Sequence, residues 1–332
     1  MSSRPAQCSS PDAASPFSGS LARGIDLGRQ LWRTLVKEPS RQLAEAVERQ
    51  RYGHLWRRLL GSDEANATIQ ALLQKGQPFL VGRIGHTEGR IVGEALFRGG
   101  RFGRLTNKQA HQNAGIFPVT PALLSRFAKV YDDAIAQADL LGFWQTTFQA
   151  RLLVERHVDI PLAPLPALEP YLHASPWSAA LEGRRVLVVH PFADSIARQY
   201  AAQRPRLFAD PLVLPQFELE VLAPPQTLAP MTEGYGTWLD ALDTLTERVL
   251  QRSFDVALLG CGAYGLPLAA AIKGSGRQAI HLGGALQVLF GIRGRRWEQL
   301  PTVAAMMNDH WIRPSGAETP VSAVRVDAGC YW

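Results

Sequence analysis

Cysteine is scarce in this chain: Cys8, Cys261 and Cys330 are the only three in 332 residues, they stand far apart, and no C-x-x-C pair occurs. That excludes a disulfide framework or a cysteine-built zinc site and agrees with a reducing compartment. Long apolar runs are also missing. No stretch approaches the roughly 18 apolar residues that cross a bilayer as a helix. Residues 1–20, rich in Ser, Pro and Ala, lack the continuous apolar block of a secretory signal. A cytoplasmic protein with a flexible leader over 1–20 is the expectation. The arginines are scattered and no RNA-module signature is present, so nucleic acid is not an expected partner.

What the chain does have is a hydrophobic content of 46% and a formal charge of +6. The first supports one large α/β core, and the second suits anionic ligands or an acidic membrane surface. Leu31, Leu35, Leu43, Val47, Leu55 and Leu59 recur at helical spacing, interrupted near Pro39, which predicts an N-terminal helical extension over 21–76. Arg29, Arg33, Lys37, Arg41, Arg49, Arg51, Arg57 and Arg58 make it basic. This reads either as a solvated helix face or as a means of peripheral membrane association at the inner face.

From 254 to 297 the sequence spells strand, glycine turn, helix, strand and second glycine turn. Val256–Leu259 reads as a buried parallel strand, Gly260, Gly262, Tyr264 and Gly265 lie in the turn, and His281, Gly283 and Gly284 end the next strand. Backbone N–H groups and a helix dipole in such a unit favour a phosphate. The spacing G-x-G-x-x-G also matches the dinucleotide fingerprint, which makes an NAD(P)-dependent oxidoreductase an alternative. That fingerprint expects an acid some twenty positions on, and here His281, Leu282 and two glycines stand there. Glycines that merely let a helix approach a strand are the plain structural reading.

Further strands are expected at 78–84, 140–143, 185–190 and 219–222, with helices at 88–97, 121–137, 196–202 and 238–251. The Pro-rich passage around Pro161, Pro164, Pro166 and Pro170 reads as a connection. Alternating strands and helices imply an α/β, Rossmann-like, mostly parallel sheet with helices on both faces over 77–310, followed by a tail over 311–332. Three polar turns then follow strand ends. Arg83, Gly85, His86 and Glu88 bring together a guanidinium, an imidazole and a carboxylate. His86 and Glu88 could hold a divalent cation, Glu88 could accept a proton, or Glu88 could simply favour a helix start capped by Thr87. His190, Asp194 and Ser195 suggest a hydrolase but lack both glycines of a nucleophile elbow, so phosphate binding or helix capping by Asp194 or Ser195 is preferred. Asn107, Lys108, Gln109, His111 and Asn113 form a polar stretch before an apolar anchor and read as a loop for sugar hydroxyls.

Arg83-Ile84-Gly85-His86-Thr87-Glu88 has the spacing of an R-F-G-D-G-E pattern, and the turns at Gly262 to Gly265 and Ile280 to Gly284 are similar to later motifs of the same family. On these residues, from about 77 to 297, the chain resembles the bacterial GT-D-fold glycosyltransferases of surface-polysaccharide clusters. The resemblance implies a nucleotide-sugar donor such as a UDP-sugar, a glycan or lipid-linked acceptor, and Mn2+ or Mg2+ assisting at Glu88. His86 stands where that family has its first acid. A noncatalytic nucleotide-sugar binding module is the remaining alternative.

Overall fold

The structure, a computed structural model, describes residues 50–144, 146, 148–228, 231–320 and 329–332. The chain divides into compact units Met1–Gly53 and His54–Trp332, and the second holds the sheet. The leader and the helices expected before residue 50 lie outside the described residues. Within the second unit seven strands form one wholly parallel sheet. They are Phe79–Arg83 (β1), Leu140–Phe143 (β2), Leu162–Pro164 (β3), Arg185–Val189 (β4), Glu218–Leu222 (β5), Val256–Leu259 (β6) and Gln278–His281 (β7). Their order across the sheet is β3-β2-β1-β7-β6-β4-β5.

The central strands are continuous apolar runs because both faces are covered. Phe79, Val81, Val186, Val188, Val256, Leu258 and Ile280 share one core with Ile69 and Leu73 of helix Ser62–Lys75 (α1). Ile196 and Leu207 of helix Ala193–Leu207 (α6) join the same core. Residues of opposite parity face the other layer: a Cβ on Gly82 would stand 2.9 Å from Leu266 of helix Gly265–Gly274 (α8). That second layer also contains helices His86–Phe97 (α2), Arg104–Gln112 (α3), Pro121–Ile135 (α4) and Trp238–Leu250 (α7). Helix Gln149–Glu155 (α5) packs beside α2.

Several expectations are corrected. β3 lies inside the Pro-rich passage read as a connection. It is the edge strand, where missing N–H donors are tolerated, and pairs Phe143 with Pro164. The polar loop over 107–113 is helical: Gly103 supplies an extended N-cap, the following residues are mostly straight-chained, and buried Thr106 and Ala110 anchor one side. Thr87 is not a cap, since α2 starts one residue earlier behind Gly85, and Asp194 and Ser195 lie inside α6, behind Phe192. α1 and residues 311–320 and 329–332 fall in the same compact unit as the sheet. Buried Trp311 shares the core with Ile69 and Leu73.

Chain order places the ligand end. From β4 the chain moves outward to β5 through α6, whereas from neighbouring β6 it moves the opposite way through α8. The carboxyl ends of such diverging strands open a crevice. A second divergence separates β1, which leads to β2, from β7.

Glycine at position 265 is required by packing. Its φ of −60° and ψ of −50° are ordinary helix values, so alanine would normally add about 1 kcal/mol of stability. A Cβ there would instead overlap the His281 imidazole. Gly265→Ala is expected to lose about 1–3 kcal/mol in urea unfolding. Part of that loss should return when His281→Ala is added. A stabilised single variant would show that the contact does not exist.

Candidate active site

Arg83 closes β1 and crosses to the β7 turn. Its guanidinium carbon stands 4.7 Å from the centre of the Trp144 ring, and the Trp144 indole N–H donates to the Ile84 carbonyl at 2.8 Å, fixing the platform. The side chain lies on Gly283, where a Cβ would come within 3.4 Å of Arg83 Cδ. Gly283 also has φ +63°, which suits glycine. Among the described residues no carboxylate lies within ion-pair distance of Arg83 and none accepts a hydrogen bond from it. Glu169 is near enough to feel its charge but takes a hydrogen bond from the Tyr171 hydroxyl at 2.8 Å. Burial raises the Glu169 pKa against the opposing pull of Tyr171 and Arg83.

The next two strand ends carry buried imidazoles. His190 Nδ1 accepts the Phe192 N–H at 3.0 Å, so a proton rests on Nε2 in the neutral ring. Burial lowers its pKa to about 3. A Cβ on Gly260 would collide with that ring and stand 3.0 Å from the Gly283 carbonyl, so the ends of β4, β6 and β7 touch. His281 Nδ1 donates to the Leu259 carbonyl at 3.2 Å, and burial, then Arg83, takes its pKa to about 3. Gly262, with φ +58°, has open space where a side chain would be, whereas the Tyr331 ring fills that place at Gly284.

Other expected residues have different duties. Tyr264 shares a 2.7 Å hydrogen bond with Thr227 and stacks on Trp238, so it braces α8 against α7. Burial pushes the Cys261 thiol to about 12, which fits a small packed residue and not a nucleophile. Ser195 does not offer its N–H to a phosphate: that N–H donates to Glu318 at 3.0 Å, and its hydroxyl donates to the same carboxylate. Burial opposes the Glu318 charge, but hydrogen bonds from Ser195 and Ser315 outweigh it and hold the carboxyl below its usual range. Asp194 is exposed on the first turn of α6.

Glu88 is buried and folds back over Gly85, at the positive end of α2. His86 Nε2 accepts from Arg90 at 2.9 Å, and Arg90 also donates to Gln109 at 3.0 Å. The lone pair that Mn2+ or Mg2+ would use on Nε2 is therefore engaged. Among the described residues no group of three or more His, Cys, Asp or Glu is gathered to hold an ion. The His86–Glu88 pair as placed does not fit a metal, and no step below uses one. The turn nonetheless borders the crevice, because buried Tyr131 lies by Gly85 and feels Glu88, Arg83 and Cys261 together.

Asn107, Lys108 and His111 line a separate cavity with Gln112, Pro118 and Val119. Gln109 turns to Arg90, and Asn113 ends α3. Thus Arg83, Gly283, His190 and Gly260 converge, while Ser195 is bound to Glu318 and Asp194 is exposed. The sequence reading missed Glu169, Tyr171, Trp144 and Glu318. One signal was available: Glu169 is the only acid between Asp159 and Glu182, in an otherwise apolar passage. No protein-family model, curated protein or solved structure matches the chain.

The two imidazoles set a pH dependence. Each pKa is about 3 in the fold against 6.5 otherwise, so between these values the unfolded chain binds more protons. Their stabilising effect is complete above about pH 6.5 and is lost as pH falls toward 3, by on the order of 1 kcal/mol per pH unit for each ring. Melting temperature should drop from pH 7 to pH 5, and His281→Asn should make that drop shallower. An unchanged profile would show that His281 is not held neutral.

Proposed function

We propose that the chain transfers a sugar from a nucleoside-diphosphate donor, such as a UDP-sugar, to a hydroxyl of a glycan or lipid-linked acceptor. The observation that carries this reading is Arg83, a partly buried cation with no ion-pair or hydrogen-bond partner among the described residues, lying between Trp144 and Gly283 near the half-buried Glu169. A diphosphate would supply the missing anion, and the open Gly262 turn would let backbone approach it.

In the transfer the acceptor oxygen bonds to the anomeric carbon as the carbon–oxygen bond to the diphosphate breaks. The electron pair leaves on the diphosphate, against Arg83. The acceptor proton passes to ionised Glu169, whose raised pKa brings it closer to neutral pH, where a base is most effective. Arg83 is preorganised on its indole platform, so its orientation does not have to be reached during the reaction. A lipid-linked acceptor would bring the enzyme to the inner face of a membrane as a peripheral protein. Among the described residues no helix is long and apolar enough to cross one.

An oxidoreductase would use the same glycine turn, but β7 ends without an acid for the ribose, and Gly265 is occupied in admitting His281. A serine hydrolase is opposed by the Ser195–Glu318 bond and by a His190 held by Phe192.

UDP should raise the melting temperature of the full chain by a few degrees at saturating concentration, and NADH should not. Arg83→Met should remove the UDP shift. Glu169→Gln should keep it while lowering donor turnover at least a hundredfold. Stabilisation by NADH alone would replace this reading with the oxidoreductase. UDP binding with no turnover in any panel of nucleotide sugars would leave a binding module.

A further inference from the structure

Resting on the transferase reading, we infer that the cavity beside α3 is the acceptor subsite and that it takes an acidic saccharide. The cavity measures about 420 Å³ and is lined by Asn107, Lys108, His111, Gln112, Pro118 and Val119. Among the described residues none of its four polar side chains makes a hydrogen bond, and His111 Nδ1 is buried without a partner. The reachable groups of Asn107, Lys108 and Gln112 are therefore open to hydrogen bonds from outside the chain. Opposite it, Pro118 and Val119 supply an apolar floor. A face of amides and an imidazole over such a floor suits a sugar ring, which has hydroxyls on its rim and C–H groups on its flat side.

Charge makes the class narrower. Between Glu94 and Asp132 the chain has no carboxylate, yet it carries Arg98, Arg101, Arg104, Lys108, Arg126 and Lys129. Glu94 is itself occupied by Arg98 and the Gly103 N–H. Lys108 has no such counterion, so the ligand that fits is a saccharide bearing carboxylate or phosphate. A flat lipid surface would engage the exposed cations but leave the cavity itself unfilled. The subsite is also coupled to the proposed donor centre: Arg90 binds His86, three residues from Arg83, and Gln109, which follows Lys108 on α3.

The test is calorimetric titration of the full chain at fixed salt with a hexauronate and with maltohexaose. Wild type should bind the hexauronate at least tenfold more tightly. Lys108→Gln should weaken hexauronate binding about tenfold and leave maltohexaose unchanged, whereas Asn107→Ala with Gln112→Ala should weaken both. These side chains are at the surface, and unchanged melting temperatures would confirm folding. All variants should keep the UDP shift, which separates this inference from the donor reading: failure of UDP in wild type overturns the donor site without touching the saccharide result. Equal binding by wild type and variants would overturn the subsite. So would binding to phosphatidylglycerol vesicles that is lost in Lys108→Gln while neither saccharide binds.

Discussion

At the carboxyl end of this sheet, side chains occupy the positions where Cβ atoms would be. His190 lies on Gly260, His281 on Gly265 and the Tyr331 ring on Gly284. Each contact brings a ring directly onto backbone, and a methyl group at any of the three would force a shift in a region packed as densely as a crystal. The glycines here are therefore only partly a matter of backbone freedom. Gly265 has helical dihedrals that any residue can adopt, and its requirement is purely one of volume. Gly283, by contrast, is required by its positive φ, since a Cβ there would make only ordinary contact with Arg83.

This packing decides the electrostatics. Rings pressed onto backbone are dry, and dryness keeps both imidazoles neutral far below their usual pKa. Glu169 is pushed in the same direction, toward its uncharged form. Arg83 cannot follow, because a guanidinium does not give up its proton. The result is a fixed cation beside the neutral His281 imidazole and on the Trp144 π-face. Were a carboxylate paired with Arg83, that charge would already be compensated.

The sheet was legible because parallel strands buried on both faces must be apolar throughout, as in Val256–Leu259 and Arg185–Val189. β3 escaped notice since prolines usually oppose strands, and only its place at the sheet edge, a property of topology, makes them acceptable. The α3 segment was misread for a similar reason. Its amides and cations look like a loop until Thr106 and Ala110 are seen to face inward. Of the site, Arg83 and the glycines were visible as residues following strands. Glu169, Tyr171 and Trp144 were not, because they arrive from connections between strands whose path no local pattern specifies.

The helix N-termini explain why similar turns do different work. Three helices begin at this end behind polar turns, and each presents unpaired N–H groups and a positive dipole end. At α2 the chain supplies its own anion in Glu88, and at α6 it does so through Glu318, which reaches Ser195 from 123 residues away. Glu318 takes the Ser195 N–H that a phosphate would seek, and Glu88 places a carboxylate over the Gly85 turn. Only the β6–α8 turn lacks such a carboxylate among the described residues, and there Gly262 keeps the approach open. That turn and Arg83, which makes no ion pair among the described residues, are the features on which the proposed donor site rests.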